Sequence, residues 1–285
     1  MGDAAHAESF RHEVFNKPFT IRPRTEDRPT PDNYRRFPEG DRLPETMKVW
    51  LVQRTDRTYG GVVARAYGFA DSPDAEILVK GFNQGKEYGA AAVSRHGNFL
   101  QWGYSASPSQ MTRPGRRLFL NSIVYISRFN GKRPLIRVRA DDRTNALRLA
   151  GVITRISGDK REFFERTFAA ELWDRYSRDP EGLTRLYREN IEWVYYDKVF
   201  RIDEQLKSLG LESNRRPEVL DALVAMLADP TRARLARDLL ARYTAGTFDT
   251  AEQWQAWLAA SRPRLYFTDV GGYKFLVAPE GYELD

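Results

Sequence analysis

His6, His12 and His96 are the only imidazoles in this chain, and it contains no cysteine. Without thiols there are no disulfides, no thiolate metal sites and no cysteine nucleophile. No HxH or HExxH spacing occurs, so no histidine-based metal site is expected. His96 has the most site-like surroundings, in the turn Arg95-His96-Gly97-Asn98. For nucleophilic chemistry the serines are Ser94, Ser105, Ser107 and Ser109, none of them in a GxSxG elbow. The segment WGYSASPSQ leaves the end of a strand, where open α/β sheets bind ligands. The ligand-binding candidates are therefore Trp102, Tyr104, Ser105, Ser107 and Gln110, with His96 nearby. Asp141-Asp142, Glu162, Glu165 and Glu171 are candidates, by residue type alone, for paired-carboxylate glycoside hydrolysis. Helical glutamates among arginines more often form surface ion pairs.

The chain carries a net charge of +6, and the excess is local. Between Arg113 and Arg161 there are 13 lysines and arginines against three aspartates. Arg113, Arg116, Arg117, Arg137 and Arg139 are the anion-binding candidates. Such a field attracts phosphate backbones or acidic polymers. No nucleic-acid motif or aromatic stacking array accompanies it, which argues against nucleic acid. Gly81, Gly85 and Gly89 match neither GxxxxGK[ST] nor GxGxxG and read as turn glycines. Nothing implies a cofactor. No run of about 18 apolar residues occurs, so no membrane span is expected. The opening MGDAAHAESF lacks the apolar region of a signal peptide, although Ala5-His6-Ala7 has the small-x-small form of a processed cleavage site.

The positioning elements follow from periodicity. Residues 1–47, rich in Pro, Arg and Asp, read as an extended segment wrapped on a surface, anchored by Phe10, Val14, Phe15, Phe19 and Ile21. Residues 48–140 read as an α/β core. Lys48–Gln53, Val62–Phe69 and Ala75–Val79 are predicted strands, and Ala90–Val93 with Phe99–Tyr104 form a hairpin. A helix is predicted from Thr112, an N-cap, with Pro114 in its first turn and Gly131 as its stop. Its inward face is predicted to carry Leu118, Phe119, Ser122, Ile123, Ile126 and Phe129. Leu135–Val138 is predicted as the next strand, giving strand–helix–strand.

Residues 141–262 read as helical: Asp142–Ser157, Lys160–Tyr176, a helix capped by Asp179-Pro180 running through Val194, Asp203–Leu209, Pro217–Leu227, Thr231–Tyr243 and Thr250–Ala260. Trp254 and Trp257 read as core. Residues 263–285 read as a hairpin around Asp269-Val270-Gly271-Gly272. The fold class is α/β followed by a helical region and a C-terminal β-hairpin.

Several of these features together resemble the later half of a ThuA-like domain of the class I glutamine amidotransferase-like fold. They are His12-Glu13-Val14-Phe15, the glycine-rich GFNQGKEYG, the turn at Arg95–Asn98 and the helix from Thr112. The whole chain also resembles a group of bacterial proteins without an assigned function, many of them exported. The resemblance implies a partial amidotransferase-like core. It does not imply glutaminase chemistry: the required cysteine is missing, and Tyr104 stands about where the catalytic histidine would be. A tyrosine with a pKa near 10 is a poor general base at neutral pH.

Three functional readings follow. The first is a non-catalytic binding or structural module on an amidotransferase-like scaffold, with an unidentified ligand or protein partner. The second is a hydrolase-like enzyme on a carbohydrate-related substrate, using carboxylates and His96. The third is a basic binder of nucleic acid or anionic polymer. A half-built sheet would also leave an edge near Lys48–Gln53 or Val62–Phe69, to be covered by the N-terminal segment or by a second copy of the chain.

Overall fold

The computed structural model describes residues 2–37, 40–55, 63–66, 69, 71–137, 141–282 and 284. They form two compact units, Met1–Leu135 and Ile136–Asp285. The described residues mix helices with small sheets, and all pairings between named strands are antiparallel.

In the first unit, strand β3 (Thr46–Leu51) lies between β1 (Ala4–His6) and β2 (Glu26–Pro29). The N-terminal segment is thus part of a sheet, with Ala4 opposite Leu51 and Pro29 opposite Thr46. It covers the edge that the sequence left open near Lys48–Gln53. Ala4, Ala5 and His6 of β1 are all buried.

A second sheet has the order β4 (Ala75–Lys80), β5 (Ala91–His96), β6 (Phe99–Trp102). The β5–β6 hairpin turns at Gly97-Asn98, where Gly97 has φ +55, a region that favours glycine. The predicted strand at Val62–Phe69 is reduced, where described, to an isolated bridge between Ala64 and Ala91; Val62, Tyr67 and Gly68 lie outside the described residues.

Helix α1 (Arg113–Ser127) starts as its sequence predicts. The Thr112 hydroxyl accepts from Gly115 N at 3.1 Å and donates to Leu51 O at 2.8 Å, tying the cap to β3. The predicted inward face is corrected. Ile123 is 48% exposed, while Asn121, Ser122 and Tyr125 are buried with Leu118. The reason is local. Asn121 donates to Val14 O at 2.8 Å and Phe19 O at 2.7 Å, and accepts from Phe19 N at 3.0 Å. A fully bonded amide is admitted to the interior, and the helix turns Leu120, Ile123 and Val124 outward.

The predicted strand Leu135–Val138 is not formed in the described residues, because Leu135 and Ile136 bend and Arg137 is irregular; Val138 lies outside them. The predicted strand–helix–strand order is therefore not observed there.

The second unit contains α2 (Arg143–Val152), α3 (Lys160–Glu165), α4 (Trp173–Tyr176) and α5 (Pro180–Glu189). Then follow β7 (Val194–Asp197), β8 (Val199–Ile202), α6 (Glu204–Ser208), α7 (Glu218–Met226), α8 (Ala233–Tyr243) and α9 (Ala251–Ser261). The hairpin of β9 (Leu265–Thr268) and β10 (Lys274–Val277) closes the unit.

Asp179 caps α5 through Gly182 N, with Pro180 at the first position, and a Thr250–Gln253 capping box starts α9, as those residue types require. The predicted continuous helix Lys160–Tyr176 is instead broken into α3 and α4. The predicted helix through Val194 ends at Glu189, and Val194 opens β7. Two apolar clusters hold the unit. One gathers α2, α5 and the β7–β8 hairpin around Phe168 and Tyr187; the other gathers α7, α8 and α9 around Leu223, Leu240 and Trp254, with Phe275 from β10.

Candidate functional site

The loop after β6 does not assemble the predicted site. Register places His96 opposite Phe99 and Trp102 opposite Val93. Three residue steps, roughly 10 Å along the hairpin, therefore separate His96 from Trp102. Tyr104 is buried and donates to Ala4 O at 3.3 Å; burial, with Asp3 adding to it, raises its pKa far above the ordinary tyrosine range. It is a core residue. Trp102 is half-buried against Tyr104 and Phe119, with Nε1 buried and unbonded.

Ser105, Ser107 and Gln110 are exposed. Ser107 Oγ lies 2.8 Å from Ser109 Oγ, and the loop is pinned through Ala106 N to Gln53 Oε1 at 2.9 Å and Arg54 N to Gln110 O at 2.9 Å. These bonds make it a fixed connection from β6 to α1.

The histidines occupy three different environments. His96 Nε2 is 3.5 Å from Asp74 Oδ1, and the buried Ser72 hydroxyl donates to the same oxygen. Ser72 thus bonds the carboxylate, whereas a Ser-His-Asp relay requires the serine to bond the imidazole. Burial opposes ionisation of Asp74, but His96, Ser72 and Leu135 N outweigh it and lower its pKa. His6 is buried, with Nε2 3.0 Å from Tyr34 Oη and its ring stacked on Phe82. Burial lowers its pKa to about 4, with Lys80 adding to the effect and Glu8 opposing it.

His12 belongs to a polar cluster centred on Glu76. Its Nδ1 accepts from Val14 N at 3.1 Å, so Nε2 carries the proton and donates to Glu76 at 3.2 Å. Glu76 also accepts from Arg95 Nε at 2.8 Å and from Tyr125 Oη at 2.8 and 3.0 Å. The Arg95 guanidinium lies 3.9 Å above the Phe129 ring centre. Burial alone would raise the Glu76 carboxyl; its three donors outweigh that and hold it at about 2. Burial and the Glu76 charge push Tyr125 up to about 12. Both nitrogens of His12 and both oxygens of Glu76 are engaged, which suits a clasp between β4, β5 and α1. Sequence reasoning missed this cluster because His12, Glu76, Arg95 and Tyr125 share no local motif.

The hydrolase candidates are engaged in part. Asp142 caps α2 by accepting from Thr144 N at 3.0 Å through Oδ1, while its Oδ2 is buried without a hydrogen-bond partner and burial raises its pKa; Tyr273 Oη donates to the backbone carbonyl of Asp141 at 2.7 Å. Glu162, Glu165 and Glu171 face Arg166, Arg161 and Arg201. Two shallow grooves, of about 300 and 360 Å³, flank α7. One ends on the Asp221–Arg262 ion pair and the other on Asp229 and Arg232.

The anion-binding candidates are placed differently. Arg113 and Arg116 are exposed and Arg117 half-exposed on one side of α1, and Arg117 donates to Thr20 O at 3.2 Å. Arg137 is exposed in the second unit, and Arg139 lies outside the described residues. Among the described residues no group of three or more His, Asp or Glu is arranged to hold a metal ion, and no helix is long and apolar enough to cross a membrane. Comparison of the chain with family models, curated proteins and solved structures gives no match.

Proposed function

We propose that this chain is a non-catalytic binding module that recognises an anionic partner through the outer side of α1. The scaffold is taken, on the sequence resemblance alone, as a divergent form of the amidotransferase-like core, although the strand–helix–strand order is not observed in the described residues. The observation that carries the binding reading is the concentration of arginine at the start of α1. Arg113, Arg116 and Arg117 fall in its first two turns, and no acidic residue occurs anywhere in the helix. A helix N-terminus already carries partial positive charge, so an arginine in the first turn is unfavourable by about 0.3–1 kcal/mol, an effect that fades toward Arg117. A local rule broken without an internal compensating carboxylate points to a requirement outside the fold. The potential catalytic groups support the same reading, since His12, Glu76, Asp74 and Asp142 are each held in hydrogen bonds that position the chain.

Heparin-column elution along a salt gradient tests the proposal. The protein should be retained, and a variant carrying Arg113→Gln, Arg116→Gln and Arg117→Gln should elute at clearly lower salt. Equal elution of the two proteins would refute an anion site on α1.

A further inference from the structure

We propose that the outer side of α1, together with Phe19, docks on an anionic lipid surface, a conclusion that rests on the anion-binding reading above. Residues 113, 116, 117, 120, 123 and 124 share one side of the helix at 100° per residue. Along that side the arginines give way to Leu120, Ile123 and Val124, which are 46%, 48% and 49% exposed. Phe19, 41% exposed, is fixed against the same helix at Asn121 and Arg117. Its backbone is bonded on both sides to Asn121, and the Arg117 guanidinium lies 6.0 Å from its ring centre. Lys17 and Arg22, both exposed, flank Phe19 in the chain. The result is an apolar strip with a cationic border on a rigid helix, anchored from behind by the buried Asn121.

Charge and polarity select the occupant. A second copy of this chain would bring one set of arginines against another, and the helix itself offers no carboxylate to answer them, Glu13 beside it being engaged with Arg128 and Lys17. A nucleic acid would satisfy the arginines and leave three aliphatic side chains against a charged backbone. An anionic bilayer satisfies both parts: headgroups meet the arginines while Leu120, Ile123, Val124 and Phe19 enter the boundary below them. The face lies in the plane of the surface, consistent with a helix too polar to span it.

The test is co-sedimentation with vesicles of equimolar phosphatidylcholine and phosphatidylglycerol, against vesicles of phosphatidylcholine alone. The protein should pellet with the first and remain in solution with the second. The Arg113→Gln/Arg116→Gln/Arg117→Gln variant should lose on the order of a hundredfold in partitioning. A second variant, Leu120→Ser/Ile123→Ser/Val124→Ser, changes only exposed positions. It should lose at least about tenfold in partitioning while eluting from heparin like the parent. Circular dichroism checks that both variants keep their helix content. Heparin retention without vesicle binding would overturn the lipid proposal and leave the anion site standing. Serine-variant binding equal to the parent's, or a lipid-independent dimer abolished by those serines, would also overturn it. Loss of heparin retention in the parent would overturn both readings.

Discussion

Arg143 and Asp269 form a buried, side-on ion pair across the second unit, with Nε 2.7 Å from Oδ2 and Nη2 2.5 Å from Oδ1. The same guanidinium donates to Ile191 O at 2.9 Å and to Asn214 Oδ1 at 3.1 Å, and Arg143 N donates to Asp269 Oδ2 at 2.9 Å. Breaking a buried pair strands the surviving charge. Arg143→Met or Asp269→Asn should destabilise the protein by about 3–5 kcal/mol in urea unfolding. A loss below about 1 kcal/mol would show that water reaches the site and solvates the survivor.

Glu76 gives the first unit an acid-sensitive element. Its pKa is depressed in the folded state, from 4.5 to about 2. Its stabilisation is therefore complete above the unfolded pKa and lost as the pH falls from about 4.5 through about 2. The carboxylate is partly exposed, so solvent screening reduces the effect to about 1–2 kcal/mol. Unfolding free energies measured from pH 5 to 2 should fall less steeply for Glu76→Gln than for the parent. Parallel curves would remove Glu76 as the titrating group.

His6 acts in a different window. Its folded pKa lies at about 4, against 6.5 for an imidazole in water, because burial disfavours the charged ring. The unfolded chain binds the proton first, so stability falls as the pH drops from about 6.5 to 4 and levels off below. The change should approach about 2–3 kcal/mol, and His6→Phe should flatten it. The His6 ring proton resonances should titrate near pH 4; a midpoint near 6.5 would contradict a buried neutral imidazole.

Gly115 sets how closely α1 approaches β3. A Cβ there would collide with the backbone carbonyl of Val52, which cannot move aside without disturbing the sheet. Gly115→Ala should therefore destabilise by about 1–3 kcal/mol, although alanine favours helix by about 1 kcal/mol. A stabilised variant in thermal melts would show that α1 can slide outward.

What was legible in the sequence was what is encoded locally. Thr112 and Pro114 announced α1, Asp179 and Pro180 announced α5, and Gly97-Asn98 announced the turn between β5 and β6. The β7–β8 hairpin escaped because its turn uses Lys198 at φ +60, where a glycine or asparagine would have signalled it. The inward face of α1 escaped for a related reason. Apolar spacing favoured Ile123, whereas the interior took Asn121, whose three bonds reach residues over 100 positions away.

Of the candidate site, the arginines of α1 were legible as a charge cluster. Their association with Phe19 and with an outward Leu120-Ile123-Val124 strip depends on which way the helix rolls, and tertiary bonds settle that. His96 and Tyr104 looked like neighbours because they are close in sequence. The hairpin register then set them apart and placed Tyr104 in the core.

The bond between Arg143 and Asp269 joins positions 126 residues apart. From Arg143 the polar contacts run through Asn214 to Tyr243 and on to Asp203 and Arg242, so segments that emerge early in synthesis wait for one that emerges much later. That raises the contact order of a largely helical unit and slows a class of fold that otherwise assembles quickly. During translation α2 would present an uncompensated guanidinium until the β9–β10 hairpin arrives, although its apolar face is covered earlier by α5 and the β7–β8 hairpin.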